Sequence, residues 1–140
     1  MSISTGKCLC EQITVSVSKD ILNSSDKIAI CHCKNCCRAG GFLGAISIII
    51  PETDVKIEGQ PKIYQDPNTD SGTPIQRAFC GNCGSPVYTA TRKVPGILVV
   101  KLGLFDNIPK PTMEGYCKSM PSWAKPIDGI QHFDTMPSKE

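Results

Sequence analysis

Short runs of β-branched and apolar residues recur along the chain, and turn-forming segments close each of them. The runs are 13–17 (ITVSV), 28–31 (IAIC), 45–50 (AISIII), 55–58 (VKIE), 62–65 (KIYQ), 75–79 (IQRAF) and 97–102 (ILVVKL). Their length and residue types predict strands. No stretch holds the i, i+3, i+4 apolar spacing that a long amphipathic helix requires. Segments 18–27 (SKDILNSSDK) and 66–74 (DPNTDSGTP) read as surface loops. The pattern predicts a mainly β fold in one domain, residues 1–140. The proline-rich tail, 109–140, is expected to pack on the sheets.

Composition narrows the function classes. A chain of 140 residues is long enough to bury a real core without metal. Fifteen Lys and Arg against thirteen Asp and Glu leave a net charge of +2, with no basic run. The three arginines, Arg38, Arg77 and Arg92, are dispersed, so there is no footprint for nucleic acid. The longest apolar stretch, 41–50, is far short of the ~20 residues that span a bilayer. The N-terminal residues lack the apolar core of a signal peptide. The expectation is a soluble cytoplasmic protein with no membrane or nucleic-acid partner. Nine cysteines, an odd number, in a reducing compartment point to metal rather than to a disulfide framework.

Two groups of cysteines have ligand spacing. "GKCLC" places Cys8 and Cys10 two positions apart, and "FCGNCGSP" adds a CxxC knuckle at Cys80 and Cys83. On an extended backbone, positions i and i+2 face one side, so both pairs can turn toward one ion. Gly84 is placed to take the left-handed conformation that folds the knuckle back, and Gly81 keeps the space between its cysteines open. A tetrahedral site of four thiolates is closed and structural.

"CHCKNCC", residues 31–37, is the second group. Alternation puts Cys31 and Cys33 on one face and turns His32 to the other. Cys36 can return to the ion after Lys34 and Asn35, whereas Cys37 directly follows a ligand. Three protein ligands with a free position is the pattern of catalytic zinc. Three thiolates weaken the Lewis acidity of the ion but let it hold an incoming thiol as thiolate, which suggests carbon–sulfur chemistry. In the closed alternative, Cys37, His132 or Cys117 completes the sphere. A Cys33–Cys36 redox pair is a further alternative. His32 is the nearest acid–base candidate, with a satisfied surface histidine as its bland reading.

Taken together, "GKCLC", "CHCKNC", "RAFCGNCGSPVY", the late "SW" and "QHFDTMP" resemble the glutathione-dependent formaldehyde-activating enzyme family, which includes the centromere protein V domain. The resemblance runs from Gly6 to about Pro137. It implies a β-tent of two antiparallel sheets with two zinc ions per chain. Cys8, Cys10, Cys80 and Cys83 would hold the structural zinc, and Cys31, Cys33 and Cys36 the catalytic one. It further implies a carbon–sulfur lyase that joins a thiol such as glutathione to a small aldehyde, with His32 as a proton shuttle. Two positions depart from the family: Cys37 replaces a basic or polar residue, and Met120 replaces an arginine. Two other functions stay open, a glutathione-independent zinc enzyme (lyase, isomerase or cyclase) on a specialised metabolite and a non-enzymatic zinc-stabilised binding module. A small-molecule substrate is expected, and a homodimer is the assembly allowed for.

Overall fold

Alternation along the strands sorts this chain into an inner and an outer layer of side chains. The computed structural model describes residues 2–136. Met1 and residues 137–140 lie outside the described residues, including the Pro137 that ends the family resemblance. The strands are β1 (Ile3–Lys7), β2 (Thr14–Ser18), β3 (Ile28–Cys31), β4 (Ala45–Pro51), β5 (Val55–Glu58), β6 (Lys62–Asp66), β7 (Ile75–Phe79), β8 (Pro86–Thr91), β9 (Ile97–Lys101), β10 (Met113–Gly115) and β11 (Gln131–His132). Two short helices interrupt them, α1 (Lys19–Ser24) and α2 (Lys34–Gly40).

The strands form a three-stranded sheet, β1-β2-β5, and an eight-stranded sheet, β11-β10-β3-β4-β9-β8-β7-β6. The small sheet is antiparallel throughout. The large one is not: β10 runs parallel to both β3 and β11. The expectation of two antiparallel sheets therefore needs correction at this edge, where the tail returns to the sheet instead of making a hairpin. His32 N–H donates to Gly115 O at 3.0 Å and carries the β3–β10 pairing one residue further.

Register determines what each face carries. Directly paired residues of an antiparallel ladder project to the same side, and successive residues alternate. One row across the large sheet runs Ile28, Ile48, Val100, Tyr88, Ala78. That inner face joins Val15 and Val17 of β2 in one core with Ile13, Ile50, Leu98, Leu102 and Phe105. Each fully buried Ile, Leu or Val contributes about 1.5–3 kcal/mol. Cys31 pairs with Ala45 and Ser47 with Lys101, which puts Cys31, Ser47 and Lys101 on the outer face. Arg77 pairs with Thr89, Thr89 with Val99, and Val99 with Ile49, so Arg77 shares that face.

Two expectations fail locally. Residues 19–24 form α1, because Leu22 turns inward and is buried. Large aromatic side chains are most simply read as core or pocket wall, yet Phe42 and Trp123 are each 73% exposed.

Candidate metal centres

The first cluster joins the two sheets. Cys8 and Cys10 lie just beyond β1, and Cys80 and Cys83 lie in the connection from β7 to β8. The four Sγ atoms fall within 4.8 Å of one another. Cys10 Sγ is 3.6 Å from both Cys8 Sγ and Cys80 Sγ. A tetrahedral ion with Zn–S bonds of ~2.3 Å sets its sulfurs ~3.8 Å apart, so the donor set fits.

Backbone donors cradle the sulfurs. Ile13 N–H donates to Cys8 Sγ at 3.3 Å, and the N–H groups of Asn82 and Cys83 donate to Cys80 Sγ at 3.4 and 3.5 Å. Gly84 N–H closes the knuckle onto Cys80 O at 2.8 Å. Gly84 has φ +82°, the left-handed conformation its position requires. The Ser85 hydroxyl, 3.2 Å from Cys83 Sγ, and neighbouring donors hold that thiol down at about 5. Two expectations differ in detail. Cys8 and Cys10 converge through a turn, with Glu11 at φ +65°, and not through strand alternation. Gly81 makes room for Lys62, since a Cβ there would lie 2.9 Å from the Lys62 side chain.

The second cluster lies on the outer face. Cys31 ends β3, Cys33 caps the N-terminus of α2, and Cys36 lies in its first turn. Cys36 N–H donates to Cys33 Sγ at 3.4 Å. The ligand atoms of Cys31, Cys33 and Cys36 also fall within 4.8 Å of one another. Hydrogen bonds from Cys31 and Cys36, with backbone donors, hold the Cys33 thiol well below its ordinary range. Cys31 is pushed well up by the same contacts with Cys33 and Cys36, and by burial. Three sulfurs this close together form a donor set that suits a thiophilic cation.

No fourth ligand joins them among the described residues. Cys37 Sγ donates to His32 O at 3.5 Å. His132 Nε2 donates to Ile127 O at 2.7 Å, and Cys117 Sγ is 3.7 Å from Glu114 O.

His32 is buried instead of lying on the surface, and it is outside the cluster. Its Nδ1 lies 2.7 Å from Leu43 O and its Nε2 2.6 Å from Glu114 Oε2. A carbonyl only accepts, so Nδ1 carries a proton. Glu114 Oε1 in turn accepts from Ile127 N–H at 2.6 Å and faces His132 Nε2 at 3.3 Å. Gly44 lies beneath this unit: a Cβ there would be 2.8 Å from Cys31 O and 3.0 Å from His32 Nδ1.

A cavity of about 180 Å³ adjoins the second cluster, lined by Cys36, Gly40, Gly44, Arg77, Lys101 and Gly103 among others. Spacing in the sequence did not single out Arg77 or Lys101, because only register brings β7 and β9 to the thiols. Arg77 Nε donates to Asp66 Oδ2 at 2.8 Å. Lys101 Nζ donates to the buried Ser47 Oγ at 3.3 Å. Burial pushes the Lys101 ammonium below its ordinary range, while the sulfurs of Cys36, Cys31 and Cys33 act the other way.

Comparison with known proteins agrees with this architecture. A crystal structure of a Rhodobacter sphaeroides protein superposes with TM-score 0.57 at 21% identity, covering 92% of this chain and 98% of that one, a likeness of fold. No curated protein matches the chain. No described helix is long and apolar enough to cross a membrane. The family model described as glutathione-dependent formaldehyde-activating enzyme matches residues 3–119, and the chain belongs to that family.

Proposed function

We propose that this protein is a zinc-dependent, lyase-type enzyme that makes and breaks a carbon–sulfur bond between a thiol and a small aldehyde. One observation carries the reading: three convergent thiols, one of which, Cys36, lines a cavity, with no fourth protein ligand among the described residues. In this reading Cys8, Cys10, Cys80 and Cys83 hold a closed structural zinc, and Cys31, Cys33 and Cys36 hold a second zinc with a free position. Zinc at the second centre supplies a place where an incoming thiol is kept as thiolate at neutral pH.

The chain's own residues do the rest. Backbone donors at the start of α2 fix Cys33. Arg77, neutralised by Asp66, closes one side of the cavity. His32 is assigned to holding the Cys31–Cys33 segment and not to moving a proton, because both its ring nitrogens are engaged. The enzyme is read as a cytoplasmic protein, with a homodimer as the assembly to test.

Family membership supports glutathione as the thiol. A second reading rests on the cavity at the thiols, which at about 180 Å³ takes the aldehyde and the reacting end of a thiol. The rest of a large thiol would lie in the neighbouring cavity of about 440 Å³ that shares Pro86, Lys101 and Gly103, and a smaller thiol or a pathway metabolite also fits. Assaying zinc-loaded protein with formaldehyde and either glutathione or cysteamine separates the two. Thiol-dependent consumption of formaldehyde, abolished in Cys31→Ser, is expected. Full activity and full zinc content in Cys31→Ser would contradict the assignment.

A further inference from the structure

Lys101 shares a cavity wall with Cys36 and has no carboxylate partner among the described residues. The other cation of the cavity differs, since Asp66 neutralises Arg77 at 2.8 Å. One N–H of the Lys101 ammonium is directed to Ser47 Oγ, and Ser47 is its cross-strand neighbour, so register fixes where the ammonium lies. An ammonium has three donors and no acceptor, which leaves two donors beyond the Ser47 bond. Lys101 lines the cavity beside Cys36 and also a larger neighbouring one of about 440 Å³. Pro86 and Gly103 belong to both walls. Lys101 therefore stands where the two cavities meet, on the same outer face as Cys31.

We infer that Lys101 is a catalytic residue that binds the oxygen of the aldehyde, and of the adduct formed from it, beside the thiols of the second centre. The inference rests on the proposed thiol–aldehyde reaction and assigns its oxygen-binding group. In the forward direction the carbon–sulfur bond forms, and the carbonyl π pair moves onto oxygen. The Lys101 ammonium donates a hydrogen bond to that oxygen, which takes up the proton the thiol has lost. A thiol and an aldehyde thus become a hydroxyalkyl thioether with no net proton change. The reverse step returns both. A fixed ammonium aimed at the atom where negative charge develops acts as an oxyanion donor does, and removing such a donor typically lowers kcat by about 100- to 1,000-fold.

The competing role is that of a counter-ion for the thiolates, and the experiment separates the two. Zinc-loaded wild type, Lys101→Met, Lys101→Arg and Ser47→Ala are compared for zinc per chain by native mass spectrometry. Binding of thioglycolate, with an anionic oxygen close to its sulfur, is compared by calorimetry with that of ethanethiol, which has none. Wild type is expected to prefer thioglycolate at least about tenfold. Lys101→Met should keep both zinc ions and its ethanethiol affinity while losing that preference, and Ser47→Ala should weaken it. Loss of the second zinc in Lys101→Met with its retention in Lys101→Arg, which keeps the charge, would make Lys101 a counter-ion and overturn the inference, as would its loss in both. So would an undiminished preference in Lys101→Met, or no preference in wild type. Turnover with formaldehyde tests the underlying reaction separately: a preference that depends on Lys101 without turnover would retain the oxyanion site and reject the lyase reading.

Discussion

His32 Nε2 and Glu114 Oε2 lie 2.6 Å apart, and both residues are buried. Glu114 is on the strand that runs parallel to β3, so the pair ties the C-terminal tail to the segment between Cys31 and Cys33. Leaving one member of a buried hydrogen-bonded pair unsatisfied typically costs about 1–3 kcal/mol, and more for a charged group. Glu114→Ala is therefore expected to lower thermal stability sharply and to reduce zinc at the second centre. Glu114→Gln, which keeps an acceptor, should cost less. Thermal melts with zinc counts check this. Unchanged stability in Glu114→Ala would separate the tail from the site.

Gly44 makes a second prediction. A Cβ there would lie 2.8 Å from the carbonyl of Cys31, closer than real Cβ contacts come. Overpacking of this kind typically costs about 1–3 kcal/mol. Gly44→Ala is expected to destabilise the fold and displace Cys31 from its partners. Gly103→Ala, with nothing within 4 Å of an added Cβ, is the control expected to retain stability.

The Asp66–Arg77 pair predicts an acid limit. Burial pushes the Asp66 carboxyl up, but the Arg77 hydrogen bond and charge, with donors from Asn68 and Asn35, outweigh it and leave it below its ordinary value. A carboxyl lowered in the folded state contributes stability above its unfolded pKa, near ~3.9, and loses it as pH falls through the folded value. Wild type should therefore exceed Asp66→Asn in stability at neutral pH. The gap should close as pH falls below about 4. Denaturant midpoints at several pH values check this, and a gap independent of pH would contradict it.

The two cysteine clusters should respond differently to loss of a ligand. Cys8 and Cys80 are each 2% exposed and belong to the core, so their cluster fastens one sheet to the other. Cys8→Ser is expected to abolish the cooperative fold, since structural zinc sites contribute folding energy directly. Cys31→Ser, on the outer face, should fold and lose one zinc. Circular dichroism with metal analysis checks both, and equal damage from the two substitutions would remove the distinction between structural and functional centres.

The strands at 28–31, 55–58 and 75–79 match the sequence reading at both ends, and in 55–58 half-buried and exposed residues alternate cleanly. The two cysteine clusters were legible because CxC and CxxC spacings keep their thiols close, although Cys8 and Cys10 converge through a turn and not a strand. Strands β1 and β10 were not, because "ISTGK" and "MEG" hold little apolar signal and are strands through their partners. Cys33 as a helix cap was hidden because α2 buries none of its residues and so shows no apolar period. Lys101 and Glu114 were invisible as site residues. Lys101 reaches the thiols only through the pairing of β4 with β9, and Glu114 reaches His32 across 82 positions of sequence.

The central claim is that "CHCKNCC" holds a second metal through three thiols and leaves one position open. Counting zinc per chain by native mass spectrometry, on protein purified without chelator or added metal, tests it most directly. The account predicts two zinc ions in wild type, falling to one in Cys31→Ser and staying at two in Cys37→Ser. One zinc in wild type, or loss of the second in Cys37→Ser, would contradict it.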